Sequence, residues 1–104
     1  MRAVRHPSLE EIQVTDVLHA LSDPVRLQIV RELACREECC CNGLAAPVSK
    51  STLSHHLKVL REAGLTRTRV EGNQRLISLR EDDLERHLPG LLPSVLGVST
   101  ARAS

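Results

Sequence analysis

Four of the residues between Cys35 and Cys41 are cysteines: Cys35, Cys39, Cys40 and Cys41. Thiolates bind soft or borderline ions, and two or three of them within a few residues can converge on one centre. A redox switch using the same thiols is the runner-up, and small packing residues with incidental exposure are the bland alternative. A second donor set mixes oxygen with imidazole. Asp83 and His87 stand at i, i+4, and Asp16 and His19 at i, i+3. Such sets suit zinc, nickel or cobalt, although spacing this common also arises on solvated surfaces.

A third constellation is cationic. From Pro47 to Arg80 there are seven basic and two acidic residues, whereas the segments on either side each carry a net charge of −2. The whole chain is only +1, so the positive charge is concentrated where a polyanion would be gripped. Within this stretch Lys50, Ser51, Thr52, Ser54, His55 and Lys58 share one side of a helical pattern, and Leu53, Leu57 and Leu60 share the other. Short hydroxyls allow close approach to base edges and phosphates, while the lysines neutralise phosphate. Arg67, Arg69, Asn73, Gln74 and Arg75 follow and add donors. A solvated amphipathic helix beside a basic hairpin would explain either half. Both together, in this order, point to duplex DNA.

Composition narrows the alternatives. The chain of 104 residues has room for one domain and contains no Phe, Tyr or Trp. The core must therefore be aliphatic, and the aromatic platforms on which single-stranded DNA and RNA bases stack are missing. The uncharged stretch from Leu88 to Ala101 is broken by Pro89 and Pro93 and is too short to span a membrane. With no apolar signal core at the N-terminus, a cytoplasmic protein with reduced thiols is expected. There is no Cys-x-x-Cys beside a βαβ pattern, no phosphate-binding glycine loop and no nucleophile elbow. Catalysis has no home here, and an enzyme is not expected.

The elements that must hold these residues can be read from periodicity. Val14, Val17, Leu18 and Leu21 predict an amphipathic helix from about Leu9 to Leu21. Asp23 and Pro24 predict the cap and first position of a second helix, carried by Val25, Ile29, Val30 and Leu33 to about Ala34. Cys35 to Gly43 reads as a turn or frayed helix end, followed by a short helix through Leu44 to Ala46 and a break at Pro47. Ser49 caps a long helix that stops at Gly64. Leu65 to Val70 and Arg75 to Leu79 alternate around a turn at Glu71-Gly72-Asn73, predicting a hairpin. Glu81-Asp82-Asp83 opens a last helix reaching at least Leu88, beyond which residues 90–96 continue as a kinked helix or a docked tail. The expected fold is mainly α with a small β-hairpin, a winged helix-turn-helix spanning residues 9–98 between tails at 1–8 and 99–104.

Three stretches carry a closer likeness. Ala20-Leu-Ser-Asp-Pro-Val-Arg-Leu-Gln-Ile-Val, Ser51-Thr-Leu-Ser-His-His-Leu-Lys-Val-Leu-Arg-Glu-Ala-Gly-Leu65 and Arg69-Val-Glu-Gly-Asn together resemble the ArsR/SmtB family of bacterial metal-responsive regulators. The likeness covers roughly Val14 to Leu88. It implies a homodimer paired through its first and last helices, bound to double-stranded operator DNA and released by an effector. Cys39 and Cys41 resemble the Cys-x-Cys pair of thiol-sensing members, which implies arsenite, cadmium, lead or zinc as the ion. Leu44 stands where a third family cysteine falls, so Cys35, Cys40 or a residue of the other subunit would complete the site. Asn42 and Pro47 also depart from the pattern, where Leu and Gly are usual. Some relatives bind metal across the dimer on the last helix, which is how Asp83 and His87 would act. A thiol-redox or metal-independent regulator, or a winged helix that binds a protein partner, are the alternatives.

Overall fold

Capping chemistry sets the helix boundaries in the computed structural model, which describes residues 6–35, 39–40 and 48–96. The Asp23 carboxylate accepts from the backbone N–H of Val25 (2.8 Å) and of Arg26 (3.2 Å), with Pro24 at the first position of α2 (Pro24–Ala34). Those donors, the Arg26 N–H foremost, hold the Asp23 carboxyl below the usual carboxylate range. Ser49 plays the same part for α3 (Lys50–Ala63), its Oγ accepting from Thr52 N–H at 3.3 Å.

The first helix is shorter than its periodicity predicts. Leu9–Glu11 form a 3-10 turn, Ile12 and Gln13 are extended, and only then does α1 (Val14–Leu21) begin. The break has a packing cause. Ile12 is 3% exposed and turns inward onto Gly64, the residue that ends α3 with φ +94°. A Cβ on Gly64 would lie 2.5 Å from Ile12 Cγ1, so glycine is needed both for the left-handed backbone and for the close approach.

Beyond Gly64 the chain forms β2 (Thr66–Glu71) and β3 (Gln74–Leu79), paired from Thr66 opposite Leu79 to Glu71 opposite Gln74. Gly72, at φ +62°, and Asn73 make a two-residue connection of the II′ pattern. The cysteine-rich segment corrects the expectation of a turn or frayed helix end. It contributes a two-residue strand, β1 (Cys39–Cys40), with Cys39 opposite Ile77 and Cys40 opposite Leu76. The sheet order is β1-β3-β2, so β1 satisfies the edge of β3 that β2 leaves open. Cys41, the short helix expected around Leu44 to Ala46 and the break at Pro47 lie outside the described residues.

The last helix, α4 (Glu81–His87), ends one residue short of the expected Leu88, which serves as its C-cap. After Gly90 (φ +84°) a separate helical segment, α5, covers residues 91–96 and buries Leu92. The core is aliphatic throughout: Val17 and Ala20 of α1, Ile29, Val30 and Leu33 of α2, and Leu57 and Leu60 of α3 pack with Leu65, Ile77 and Leu84. Val14 (43% exposed) and Leu18 (48%) of α1 remain outside it.

The residues before α1 are tied down. His6 Nε2 accepts from Thr68 N–H (2.9 Å), Arg80 Nη1 donates to Pro7 O (2.9 Å), and His87 Nε2 lies 2.8 Å from Ile12 O. The segment thus runs across the base of the hairpin to α4. Among the described residues no helix is long and apolar enough to cross a membrane.

Candidate nucleic-acid interface

Helix α3 presents the face that its sequence predicts. Lys50, Ser51, Thr52, Ser54, His55 and Lys58 are all exposed, while His56, Leu57, Leu60 and Ala63 are buried. The helix carries no acidic residue in its first turn, so its positive N-terminal end adds to the two lysines in attracting phosphate.

His56 is what orients this helix. It is 8% exposed, and its Nδ1 lies 3.3 Å from Arg26 Nη1. A guanidinium can only donate, so Nδ1 accepts and the ring proton sits on Nε2. Arg26, also 8% exposed, donates from Nε to Ala20 O (2.7 Å) and from Nη2 to His19 O (3.4 Å). These carbonyls belong to the last turn of α1, at the negative end of its dipole, and His19 O also accepts from the backbone N–H (3.2 Å) and the Oγ (2.7 Å) of Ser22. One guanidinium therefore joins α1, α2 and α3. Sequence reading identified Asp23-Pro24-Val25-Arg26 only as a helix start; no pattern in the chain marks Arg26 as the link.

The basic residues of the hairpin divide between its two faces. Thr66 and Thr68 are buried and Val70 is half-buried, so Arg67 and Arg69 point to the opposite, outer face. Arg67 Nη2 pairs with Asp83 Oδ2 at 3.1 Å, and Arg69 Nη1 with Glu71 Oε2 at 3.4 Å. Arg75 stands opposite Val70, hence on the inner face toward α3, and is exposed. Asn73 and Gln74 are exposed at the tip. Of the three arginines, Arg75 is the one set beside α3 with no ion pair among the described residues.

Of the oxygen and imidazole donors, Asp83 and His87 are engaged elsewhere. Asp83 Oδ2 accepts from both Arg67 Nη2 and buried Arg80 Nε (3.1 and 3.0 Å). Burial alone would raise the Asp83 carboxyl, but Arg80 and then Arg67 outweigh it and leave its pKa lowered. His87 points Nε2 at the carbonyl of Ile12, which requires the proton there and removes that nitrogen from ligation. Asp16 and His19 are exposed on α1 and line a shallow depression with Val59, Glu62 and Ala63. Among the described residues no group of three His, Cys, Asp or Glu side chains is arranged to hold a metal ion. Cys35 is a free, exposed thiol at the C-terminal cap of α2, and Cys39 and Cys40 follow on β1.

Known proteins share both the architecture and the sequence. A helix-turn-helix domain family matches residues 21–69, the segment from the end of α1 into β2. An uncharacterized HTH-type transcriptional regulator of Bacillus subtilis is 43% identical over 86 residues, covering 76% of this chain and 82% of the relative. The arsenical resistance operon repressor of Staphylococcus xylosus is 39% identical over 74 residues, covering 70% of this chain and 71% of the relative. A solved structure described as a "possible transcriptional regulator for arsenical resistance" superimposes with a TM-score of 0.63 at 35% identity, covering 86% of this chain and 97% of the other. An exposed, basic recognition helix braced by Arg26 beside a two-stranded wing, on a chain this similar to such regulators, is the machinery of a DNA-binding transcriptional regulator and not of an enzyme: the protein belongs to the ArsR/SmtB family of winged helix-turn-helix regulators.

Proposed function

We propose that the protein is a cytoplasmic homodimeric repressor that lets go of its operator when a thiophilic ion binds its cysteines. In this reading α3 enters the major groove, with Ser51, Thr52, Ser54 and His55 toward base edges and Lys50 and Lys58 on phosphates. Asn73, Gln74 and Arg75 follow the backbone from the wing, and Arg67 and Arg69 add positive potential from its outer face. The observation that carries the reading is the exposed polar face of α3, held by the Arg26–His56 contact beside Arg75, which has no ion pair among the described residues.

The donor set fits a thiophilic ion better than a harder one. Cys35, Cys39, Cys40 and Cys41 offer sulfur, whereas Asp83 and His87 are committed to Arg67, Arg80 and Ile12. Arsenite, cadmium, lead and zinc are the candidates, and the name of the Staphylococcus xylosus relative favours arsenite. Nickel or cobalt would need the oxygen and imidazole donors, of which Asp83 and His87 are engaged. The route to DNA is short, because Cys39 and Cys40 pair through their backbone with β3, the strand that carries Arg75. Drawing thiolates together would strain that pairing and move the wing. The coupling is reciprocal, so DNA must weaken ion binding by the same factor.

Fluorescence anisotropy on an operator duplex tests this over a range of salt. Lys58→Ala should weaken binding to every sequence and lower the salt slope by about one ion. Arsenite, cadmium or zinc should release the wild type, while the Cys39→Ser, Cys41→Ser double variant should bind DNA normally and ignore the ion. Release of that double variant by the ion would remove the cysteines from the mechanism. Release by peroxide alone would make them a redox switch.

A further inference from the structure

Between α3 and the wing lies a cleft of about 230 Å³, of whose lining the docking described above uses only Ser54 and Arg75. Leu57, Thr68 and Ile77 are buried and line its interior, Ser54 and Arg75 are exposed and line its mouth, and Arg61 of the last turn of α3 lines it with them. No carboxylate lines it among the described residues. Two guanidiniums and two hydroxyls therefore face a space without a counter-charge.

Arg61 keeps one donor unsatisfied among the described residues: its Nε is buried with no hydrogen-bond partner, although a buried donor normally has one. A small shift of the side chain toward the cleft would bring that N–H to an acceptor entering from outside. The surroundings are positive as well. Burial, then Arg67, Arg80 and Arg61, disfavour the charged form of His6 on the neighbouring edge of β2. The size of the cleft limits its ligand. It falls below the roughly 300–1,000 Å³ usual for metabolite pockets, yet a water needs only about 30 Å³. A tetrahedral oxyanion with a few waters fits; a nucleotide does not. Arginine forks match such oxygens in pairs, where a lysine would act as a point charge.

We propose that Arg61 and Arg75, with Ser54 and Thr68, form a binding site for one phosphate-like oxyanion between the recognition helix and the wing. The ion is either a backbone phosphate of the operator or a free oxyanion of the same shape. Bound there, it bridges α3 to β3 and fixes the angle at which wing and helix meet the duplex. This deepens the DNA-docking reading, and rests on it only for the backbone source.

Two measurements on the full chain test the site. Inorganic phosphate is titrated into the DNA-free protein at constant ionic strength against chloride, following the Arg61 Nε–H and the Thr68 amide by NMR. Operator binding is then compared for the wild type, Arg61→Gln and Arg61→Lys. Saturable shifts at both signals in the wild type, lost in Arg61→Gln, support a site for the free ion, whether or not any duplex binds. A roughly ten- to hundred-fold loss of operator affinity in Arg61→Gln, with a salt slope lower by about one ion, supports the backbone source even if free phosphate gives no shift. Arg61→Lys should keep the slope and recover only part of the affinity. No phosphate shift in the wild type, together with unchanged operator binding in both Arg61 variants, overturns the site while leaving the DNA reading in place. Should Arg61→Gln fail to fold, the wild-type titration and Arg61→Lys decide the matter.

Discussion

Arg26 concentrates more of the architecture in one side chain than any other residue described. Its guanidinium replaces water for two carbonyls at the end of α1 and for one ring nitrogen of the recognition helix. Removing a partner from a buried polar group costs more than the bond was worth, because the group left behind stays desolvated. Arg26→Met should therefore destabilise the protein by about 2–4 kcal/mol, given roughly 1.5–3 kcal/mol for a hydrogen bond to a charged group and imperfect additivity. For a domain of this size that is a fall in Tm of very roughly 10–25 °C. Arg26→Lys should recover only a minor part, since an ammonium cannot span three acceptors in the guanidinium plane. Thermal or urea unfolding of both variants checks this, and equal stability of Arg26→Lys and the wild type would contradict it. The importance of Arg26 was not legible from the chain, where it is one of several arginines on an otherwise ordinary helix. The contact pairs positions 26 and 56, and such long-range pairs follow no periodicity.

At the scale of elements, the segment before α1 acts as a strap across the wing base. His6 must be neutral at Nε2 to accept the Thr68 N–H. Burial first, then Arg67, Arg80 and Arg61, lower its pKa from the ordinary 6.5. The folded state thus disfavours the proton relative to the unfolded chain. The contribution of the strap is fully present above pH 6.5 and is lost as pH falls through the lowered value of folded His6. Between those limits the wild type should lose stability and Thr68 amide protection. His6→Gln should be less stable at neutral pH, by about 1 kcal/mol for one neutral hydrogen bond, and should lack the slope. Stability curves of the two proteins from pH 5 to 8, together with Thr68 hydrogen exchange, read both effects. A slope shared by wild type and variant would assign it to another group. Asp23 and Asp83, whose pKa values are also lowered, act only in more acid solution, where stability present above the ordinary carboxylate range is lost as pH falls through their lowered values.

For the molecule as a whole, the proposed docking asks for more than one chain. In that reading one α3 would read one half-site, and a dyad operator would space two of them roughly 34 Å apart. The monomer core covers Val17, Ala20 and Leu21 of α1 and leaves Val14 and Leu18, one turn apart, in water. Leu88, Leu91, Val95 and Leu96 are only partly covered at the other end of the chain. These two strips are where a second copy would pack. Burying a Val or Leu is worth about 1.5–3 kcal/mol, so Val14→Glu or Leu18→Glu should raise the dimer dissociation constant by at least about ten-fold. Sedimentation across micromolar concentrations should show a dimer for the wild type and dissociation for the variants, with operator affinity falling in parallel. A wild-type monomer that still binds a two-half-site operator tightly would overturn the arrangement.

Local rules decided a good deal by themselves. The caps at Asp23 and Ser49, the stop at Gly64, the hairpin around Gly72-Asn73 and the exposed face of α3 all follow from neighbours within four residues, and all stand as the sequence predicts. The tertiary structure decided what those rules do not reach. It split the first helix so that Ile12 could pack on Gly64, and turned Cys39–Cys40 into an edge strand because β3 had an unpaired side. It also engaged Asp83 and His87 with Arg67, Arg80 and Ile12, so that a spacing suited to metal became a brace between elements. Arg61 belongs to the same class. Its place at the end of α3 was plain, but a cleft exists only once the hairpin folds back on the helix, and contacts closed across such distances in sequence are set by the packing of the whole chain.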